Sequence, residues 1–264
     1  MREVDLIIKG RYLLTMNNNL EVVEEGAVVV KDGKILAIGK STAIVQEFVA
    51  KEMIDAGNNI VMPGMINLHT HVAMSYFRGL ADDLKLDEWL TKYIWPAEAK
   101  NVNQKFVKWS GMLGCLEMVK SGVTCFNDMY FFEEELAMVA KKIGIRAVLG
   151  EGILDFPTPS CQTPEDAINK TINLIDQYKN DDLINITFAP HSIYTCSEEL
   201  LKVVKDKAEE YESLIHIHLS ETKKELEDSL VKYNSTPTKY LDTLGLLSKK
   251  LIAAHGVWLN EGDL

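Results

Sequence analysis

From Ile60 to Leu264, short apolar runs alternate with longer stretches of helical period, and this alternation constrains the fold more than any other feature of the chain. The runs are IVMPGMINLHTH (60–71), VTCFNDM (123–129), RAVLGEGI (146–153), ITFAPHSI (186–193), SLIHIHLSE (213–221) and LIAAHGVWL (251–259). Between them lie amphipathic segments such as QKFVKWSGMLGCLEMVKSG, ELAMVAKKIG and EELLKVVKDKAEEYE. Parallel strands need a crossover that carries the chain back, and a helix is the usual one. Six strands so connected fit a (β/α)8 barrel or a doubly wound sheet. Polar residues gather at the C-terminal ends of the runs, where barrel enzymes build their sites, and this favours the barrel. A complete barrel takes roughly 250 residues by itself. Here about 60 of the 264 residues precede the first barrel strand, so the expectation is an α/β barrel truncated after about six strands.

The first sixty residues have a different rhythm. DLIIKGRYLLTM and GAVVVKDGKILAIG are β-rich, and Asp32-Gly33 within the second is a hairpin signal because both positions tolerate positive φ. The expected division is a β-rich segment over 1–58 and a barrel over 59–264.

The net charge of −11, from 28 Lys+Arg against 39 Asp+Glu, repels a phosphate backbone, and no basic stripe offsets it. Nucleic acid is not an expected partner. No apolar run approaches the roughly 18 residues of a membrane span, and the N-terminus lacks the apolar core of a signal peptide. A cytoplasmic address is the default. The cysteines, Cys115, Cys125, Cys161 and Cys196, are scattered without a C-x-x-C pair and read as reduced thiols.

Chemistry is carried by the six histidines. His69, His71, His191, His218 and His255 fall at or near the ends of expected strands, while His216 lies two residues deeper in its own. A lone strand histidine is usually a satisfied core residue, but strand ends in a barrel converge on one mouth. His69 and His71 share a strand face about 6.5 Å apart, and two such imidazoles can lean onto one ion at Zn–N distances of roughly 2.0–2.1 Å. His218 adds a third imidazole, which with an open position is the layout of a catalytic metal. Glu221, three residues on, is the candidate proton carrier, set against the plainer reading of a carboxylate at a helix start. His216 reads as structural, His255 can orient a water, and His191 can face a substrate.

At these residues the sequence resembles a known family. PGMINLHTHVAMSYFRGLADDLKLDEWL, FAPHSIYTCSEE, IHIHLSET and IAAHGVWL are similar, in register along the chain, to the methylthioadenosine/S-adenosylhomocysteine deaminase branch of the amidohydrolases. The resemblance implies a distorted (β/α)8 TIM-like barrel and a small β-sandwich built from both chain ends. It implies one divalent metal, usually zinc, on His69, His71 and His218. Glu221 then shuttles protons, His255 contacts the activated water, His191 contacts the nucleoside, and Glu98 grips the ribose hydroxyls. The implied reaction is hydrolytic removal of the 6-amino group from adenosine-type nucleosides, in a dimer or tetramer.

Two departures stand out. The family has a further metal-binding aspartate on a later strand, and this sequence ends before reaching it. Relatives favouring S-adenosylhomocysteine carry an arginine where Glu151 stands. A cation there can pair with the substrate carboxylate, whereas Glu151 would repel it and can bond a ribose hydroxyl. The expected order therefore places 5'-deoxyadenosine, methylthioadenosine and adenosine ahead of S-adenosylhomocysteine. Competing readings are a guanine or triazine hydrolase on the same metal site, or a non-catalytic scaffold derived from the barrel.

Overall fold

Strand β1 (Arg2–Leu14) organises the first sixty residues, pairing antiparallel with β2 (Val22–Lys31), which pairs antiparallel with β3 (Lys34–Lys40). Asp32 and Gly33 turn the β2–β3 hairpin with φ of 52° and 72°, the paired positive values that an Asp-Gly turn accommodates. Helix α1 (Ser41–Glu47) returns the chain to β4 (Phe48–Asp55), which lies parallel to β1, as does the short β5 (Ile60–Val61). Ile44 and Phe48 close a small core over Val4, Ile7, Ala27 and Val29. The computed structural model describes residues 1–264 and divides them into two units, Met1–Gly64 and Met65–Leu264.

The run at 60–71 reads as one strand in the sequence but forms two. β5 ends at Val61, and β6 (Met65–Thr70) opens the second unit. Pro63 lies in the break, where it has no backbone N–H to give a ladder.

After β6 come a 3-10 turn (Val72–Phe77), α2 (Leu86–Trp89), a π turn (Leu90–Ile94), α3 (Trp95–Asn101) and α4 (Gln104–Lys120). The βα rhythm then holds: β7 (Val123–Tyr130), α5 (Glu133–Ile143), β8 (Arg146–Ile153) and α6 (Pro164–Tyr178). The next run is irregular, split into β9 (Ile184–Ile186) and β10 (Ala189–Pro190). α7 (Glu198–Glu210), β11 (Ile215–Leu219), α8 (Lys223–Tyr233), α9 (Pro237–Thr243) and β12 (Leu251–His255) complete the chain.

All pairings in this unit are parallel: β6 with β7, β7 with β8, β8 with β9 and β10, and β11 with β12. A bridge from Phe188 to Ile215 links the β9–β10 run to β11. Each strand therefore neighbours the next in sequence, the order that short helical crossovers impose. Phe126, Leu149 and Ile186 pack under α4 and α5, while Phe188, Ile217 and Leu219 pack under α7 and α9. No helix is long and apolar enough to cross a membrane, and all four cysteines are free thiols.

Gly150 marks the tightest strand approach near the site. A Cβ there would stand 2.5 Å from Ala189 Cβ and 3.0 Å from Thr187 Cγ2. Gly150→Ala is expected to cost about 1–3 kcal/mol by overpacking, read as a lower midpoint in urea denaturation.

Candidate active site

The parallel order carries the C-terminal ends of β6, β10, β11 and β12 to one place, and the histidines meet there. His69 ring centroids stand 4.8 Å from His71, 4.9 Å from His218 and 4.9 Å from His255. His191 lies 4.6 Å from His218, and His255 stacks on His218 at 5.3 Å. His69, His218 and His255 each offer a ring nitrogen within 4.8 Å of the others. His71 joins through His218, Nε2 to Nε2 at 3.3 Å. His255 ends β12 at φ 75°, a left-handed conformation uncommon for a residue with a Cβ and frequent at functional sites.

Ring-nitrogen partners decide which lone pairs face inward. His71 Nδ1 donates to the Met129 carbonyl, and His218 Nδ1 donates to the His191 carbonyl at 2.8 Å. In neutral rings this leaves both Nε2 atoms bare and facing one another, an arrangement that a cation between them satisfies. His69 Nδ1 shares a 2.9 Å hydrogen bond with His216 Nε2, and His69 Nε2 is buried without any partner. An orphaned imidazole nitrogen beside two bare ones is a donor set that a divalent metal ion can satisfy. His255 has a different engagement, its Nε2 lying 3.6 Å from Glu221 Oε1. Burial pushes His69, His191 and His216 down to about 3 and His218 well below its ordinary value. Neutral imidazoles are the form that binds metal.

Glu221 sits between β11 and α8. Thr222 caps the helix by accepting from Glu225 N–H, and the Glu225 carboxylate accepts from the Ser220 and Glu221 N–H groups at 2.9 and 2.8 Å. Glu225 thereby takes over the helix-start role, which leaves the Glu221 carboxylate free to face His255. Burial raises the Glu221 carboxyl above its usual range, with His71 opposing the shift.

Beside the imidazoles lies a cavity lined by His71, Glu98, Tyr130 and His191, with Trp89, Trp95 and Phe131 among its apolar walls. Tyr130 Oη donates to Glu98 Oε1 at 2.8 Å. Burial still pushes Glu98 up to about 7, against the lowering effect of that bond. His191 Nδ1 is tied to Thr195 Oγ1 at 2.9 Å and Ser192 Oγ at 3.2 Å.

Glu151 stands apart from this group. Its carboxylate is fully buried and accepts from the Phe132 and Glu133 N–H groups at 3.2 and 3.0 Å, at the start of α5. Ser160 donates to it, and Lys170 Nζ lies 3.4 Å away. The adjacent Gly152, not Glu151, lines the cavity, because neighbouring residues of a strand point to opposite faces. The expectation that Glu151 meets the substrate finds no support in its contacts.

Several partners escaped the sequence reading. His216, read as structural, orients His69. Tyr130 fixes Glu98, while Ser192 and Thr195 fix His191. The signal for these was weak: a polar residue one or a few positions from a histidine or at a strand end, indistinguishable from ordinary loop chemistry.

The model of the amidohydrolase family matches residues 60–264. A Thermodesulfovibrio yellowstonii protein named 5-methylthioadenosine/S-adenosylhomocysteine deaminase is 49% identical over 260 residues, covering 98% of this chain and 59% of that protein. A Methanobrevibacter smithii protein named 5'-deoxyadenosine deaminase is 40% identical, covering 100% and 59%. Among solved structures, an adenosine deaminase from Xanthomonas campestris with bound zinc superposes with a TM-score of 0.96 at 35% identity, covering 99% of this chain and 60% of that one. The chain thus spans about three fifths of the length of these relatives.

Proposed function

The chain belongs to the amidohydrolase family, and on that premise we propose that it serves the hydrolytic deamination of adenosine-type nucleosides to inosine analogues and ammonia. The observation that carries this reading is the carboxylate of Glu98, held by Tyr130 in the cavity that His71 and His191 also line. A fixed carboxylate can accept from two neighbouring hydroxyls, the recognition a ribose requires, and the aromatic walls suit a purine face. Guanine and triazine rings would give Glu98 no diol to bind.

His69, His71 and His218 would hold the metal, each with Nδ1 engaged and Nε2 available. Zinc bound there supplies the Lewis acidity that brings a water's pKa near 7. Glu221 accepts the proton of the attacking water and delivers it to the purine ring nitrogen. His255, beside Glu221, orients that water, and His191 holds the base. Substrates in this reading are 5'-deoxyadenosine, methylthioadenosine and adenosine. The order that set S-adenosylhomocysteine last rested on Glu151, whose contacts do not reach the cavity.

The barrel expected over 59–264 begins, on this proposal, at Met65, because β5 pairs with β1 of the first unit. The sequential parallel strand order supports a distorted (β/α)8 barrel, and the residues before it would form part of a composite β-sandwich. A dimer or tetramer is carried over from the resemblance alone.

The test is turnover of adenosine and 2',3'-dideoxyadenosine by the zinc-loaded full-length protein, with Glu98→Gln beside it. Adenosine should be deaminated with a KM that falls as pH rises through about 7, where Glu98 ionises and becomes the better acceptor. Glu98→Gln should raise KM for adenosine roughly tenfold to a hundredfold, as expected for loss of a hydrogen bond to a charged group, and flatten that pH dependence. The dideoxy substrate should be indifferent to both. Absence of turnover with any adenosine-type nucleoside, zinc being bound, would overturn the reading.

A further inference from the structure

Thr70 separates His69 from His71, so whatever fixes Thr70 fixes the spacing of two proposed ligands. Its hydroxyl, with a single hydrogen to give, lies between two acceptors, the Asn127 carbonyl at 2.9 Å and Asp128 Oδ1 near the end of β7. Asp128 Oδ1 also accepts from Val72 N–H at 2.7 Å, on the other side of His71. One carboxylate oxygen therefore grips the backbone after His71 and the side chain before it. Asp128 is fully buried, and beside it lies Glu133 from the first turn of α5, also fully buried, within hydrogen-bond reach.

Asp128 Oδ2 and both carboxyl oxygens of Glu133 have no donor. Lys170, the half-buried cation on this side, is engaged by Glu134 at 2.8 Å and Glu151 at 3.4 Å. Backbone N–H groups at the start of α5 do not serve Glu133 either, because Glu151 accepts them. Two ionised carboxylates in contact, dry and without a counter-charge, are excluded by their mutual repulsion, and a proton between them removes it. The proton's place follows from the other partners. Asp128 is already an acceptor for Thr70 and Val72, which favours its anion, whereas Glu133 has nothing to stabilise a charge.

We infer that Glu133 is a neutral acid whose O–H donates to Asp128 Oδ2, and that the pair is a positioning element setting the separation of His69 and His71 through Thr70. The inference rests on the metal-site reading above for its consequence, but not for the bond itself. Burial raises the Glu133 carboxyl well above its ordinary value, in the direction this bond requires.

The experiment compares Glu133→Gln, Glu133→Ala and Asp128→Asn with the wild type in the full-length protein, reading zinc retention against a competing chelator. Gln can still donate to Asp128, so Glu133→Gln should hold zinc within about threefold of wild type. Glu133→Ala and Asp128→Asn should lose roughly 10–100-fold in affinity, the usual cost of an outer partner of a metal ligand. A packing role alone would treat the two amide variants alike. Infrared spectra with 13C-labelled glutamate at about pH 9, well above the ordinary carboxyl range, supply the second readout. A protonated-carboxyl band present in wild type and absent in Glu133→Gln is expected. Loss of zinc by Glu133→Gln equal to that of Glu133→Ala, or no such band, would overturn the inference. If the wild type holds no zinc, the metal-site reading fails while the infrared band still decides the bond; if Glu133→Ala does not fold, Glu133→Gln and the band decide it.

Discussion

Replacing His218 with alanine is expected to strip zinc from the protein and lower deamination by about three orders of magnitude or more, since a metal contributes several kcal/mol of transition-state stabilisation and each 1.36 kcal/mol is tenfold. His218 occupies the middle of the cluster: its ring lies against His69, His71, His191 and His255 at once. Removing it takes away one bare Nε2 and a ring that packs against four others. Metal analysis after dialysis, alongside the adenine-to-hypoxanthine ultraviolet change, checks the result. Full zinc content in His218→Ala would instead point to His69, His71 and His255 as a sufficient set.

Glu221→Gln is expected to behave differently. Zinc should stay, because none of the proposed ligands His69, His71 and His218 is bonded to Glu221, while kcat should drop about 10²–10⁴-fold, the usual contribution of general acid–base transfer. The pH dependence gives the sign. Burial lifts the Glu221 carboxyl above its usual range, and the proton acceptor must be ionised. Wild-type activity should therefore be lost, as pH falls, earlier than an ordinary carboxylate would dictate. That acid limb should vanish from the residual rate of Glu221→Gln. Steady-state kinetics across pH, with metal content measured in parallel, separate the two causes of inactivity.

Sequence alone reached the βα rhythm because strand and helix periods are local properties, and the segments QKFVKWSGMLGCLEMVKSG and EELLKVVKDKAEEYE are helical where their period says. It missed the interruption at Pro63, which has no N–H to give a ladder, and the split of the 186–193 run, where the Thr187 and Phe188 N–H groups turn to different neighbours, Leu149 and Leu214. The gathering of the histidines was legible because strand ends converge whenever parallel strands follow one another. Which imidazole nitrogens face inward was not legible, since that depends on carbonyls such as Met129 and His191, which any residue type presents equally. Glu151 is the opposite case. Its expected substrate contact came from the family position where relatives carry an arginine, whereas its side chain engages the first turn of α5 and Lys170. Glu98 had no signal of its own in the sequence; its meaning comes from Tyr130, 32 residues away.

His71 and His218 are 147 residues apart in the chain yet stand Nε2 to Nε2. An ion shared between them is a cross-link as much as a cofactor. It ties the first strand of the parallel sheet to the fifth run, and the loop it closes contains most of the second unit. A link over so long a loop removes much of the freedom of the unfolded chain, and any species bound only by the folded form draws the population toward it. On the proposed reading, the atoms that would prepare the reaction would also fasten the fold, and metal supply would then set how long the folded protein persists.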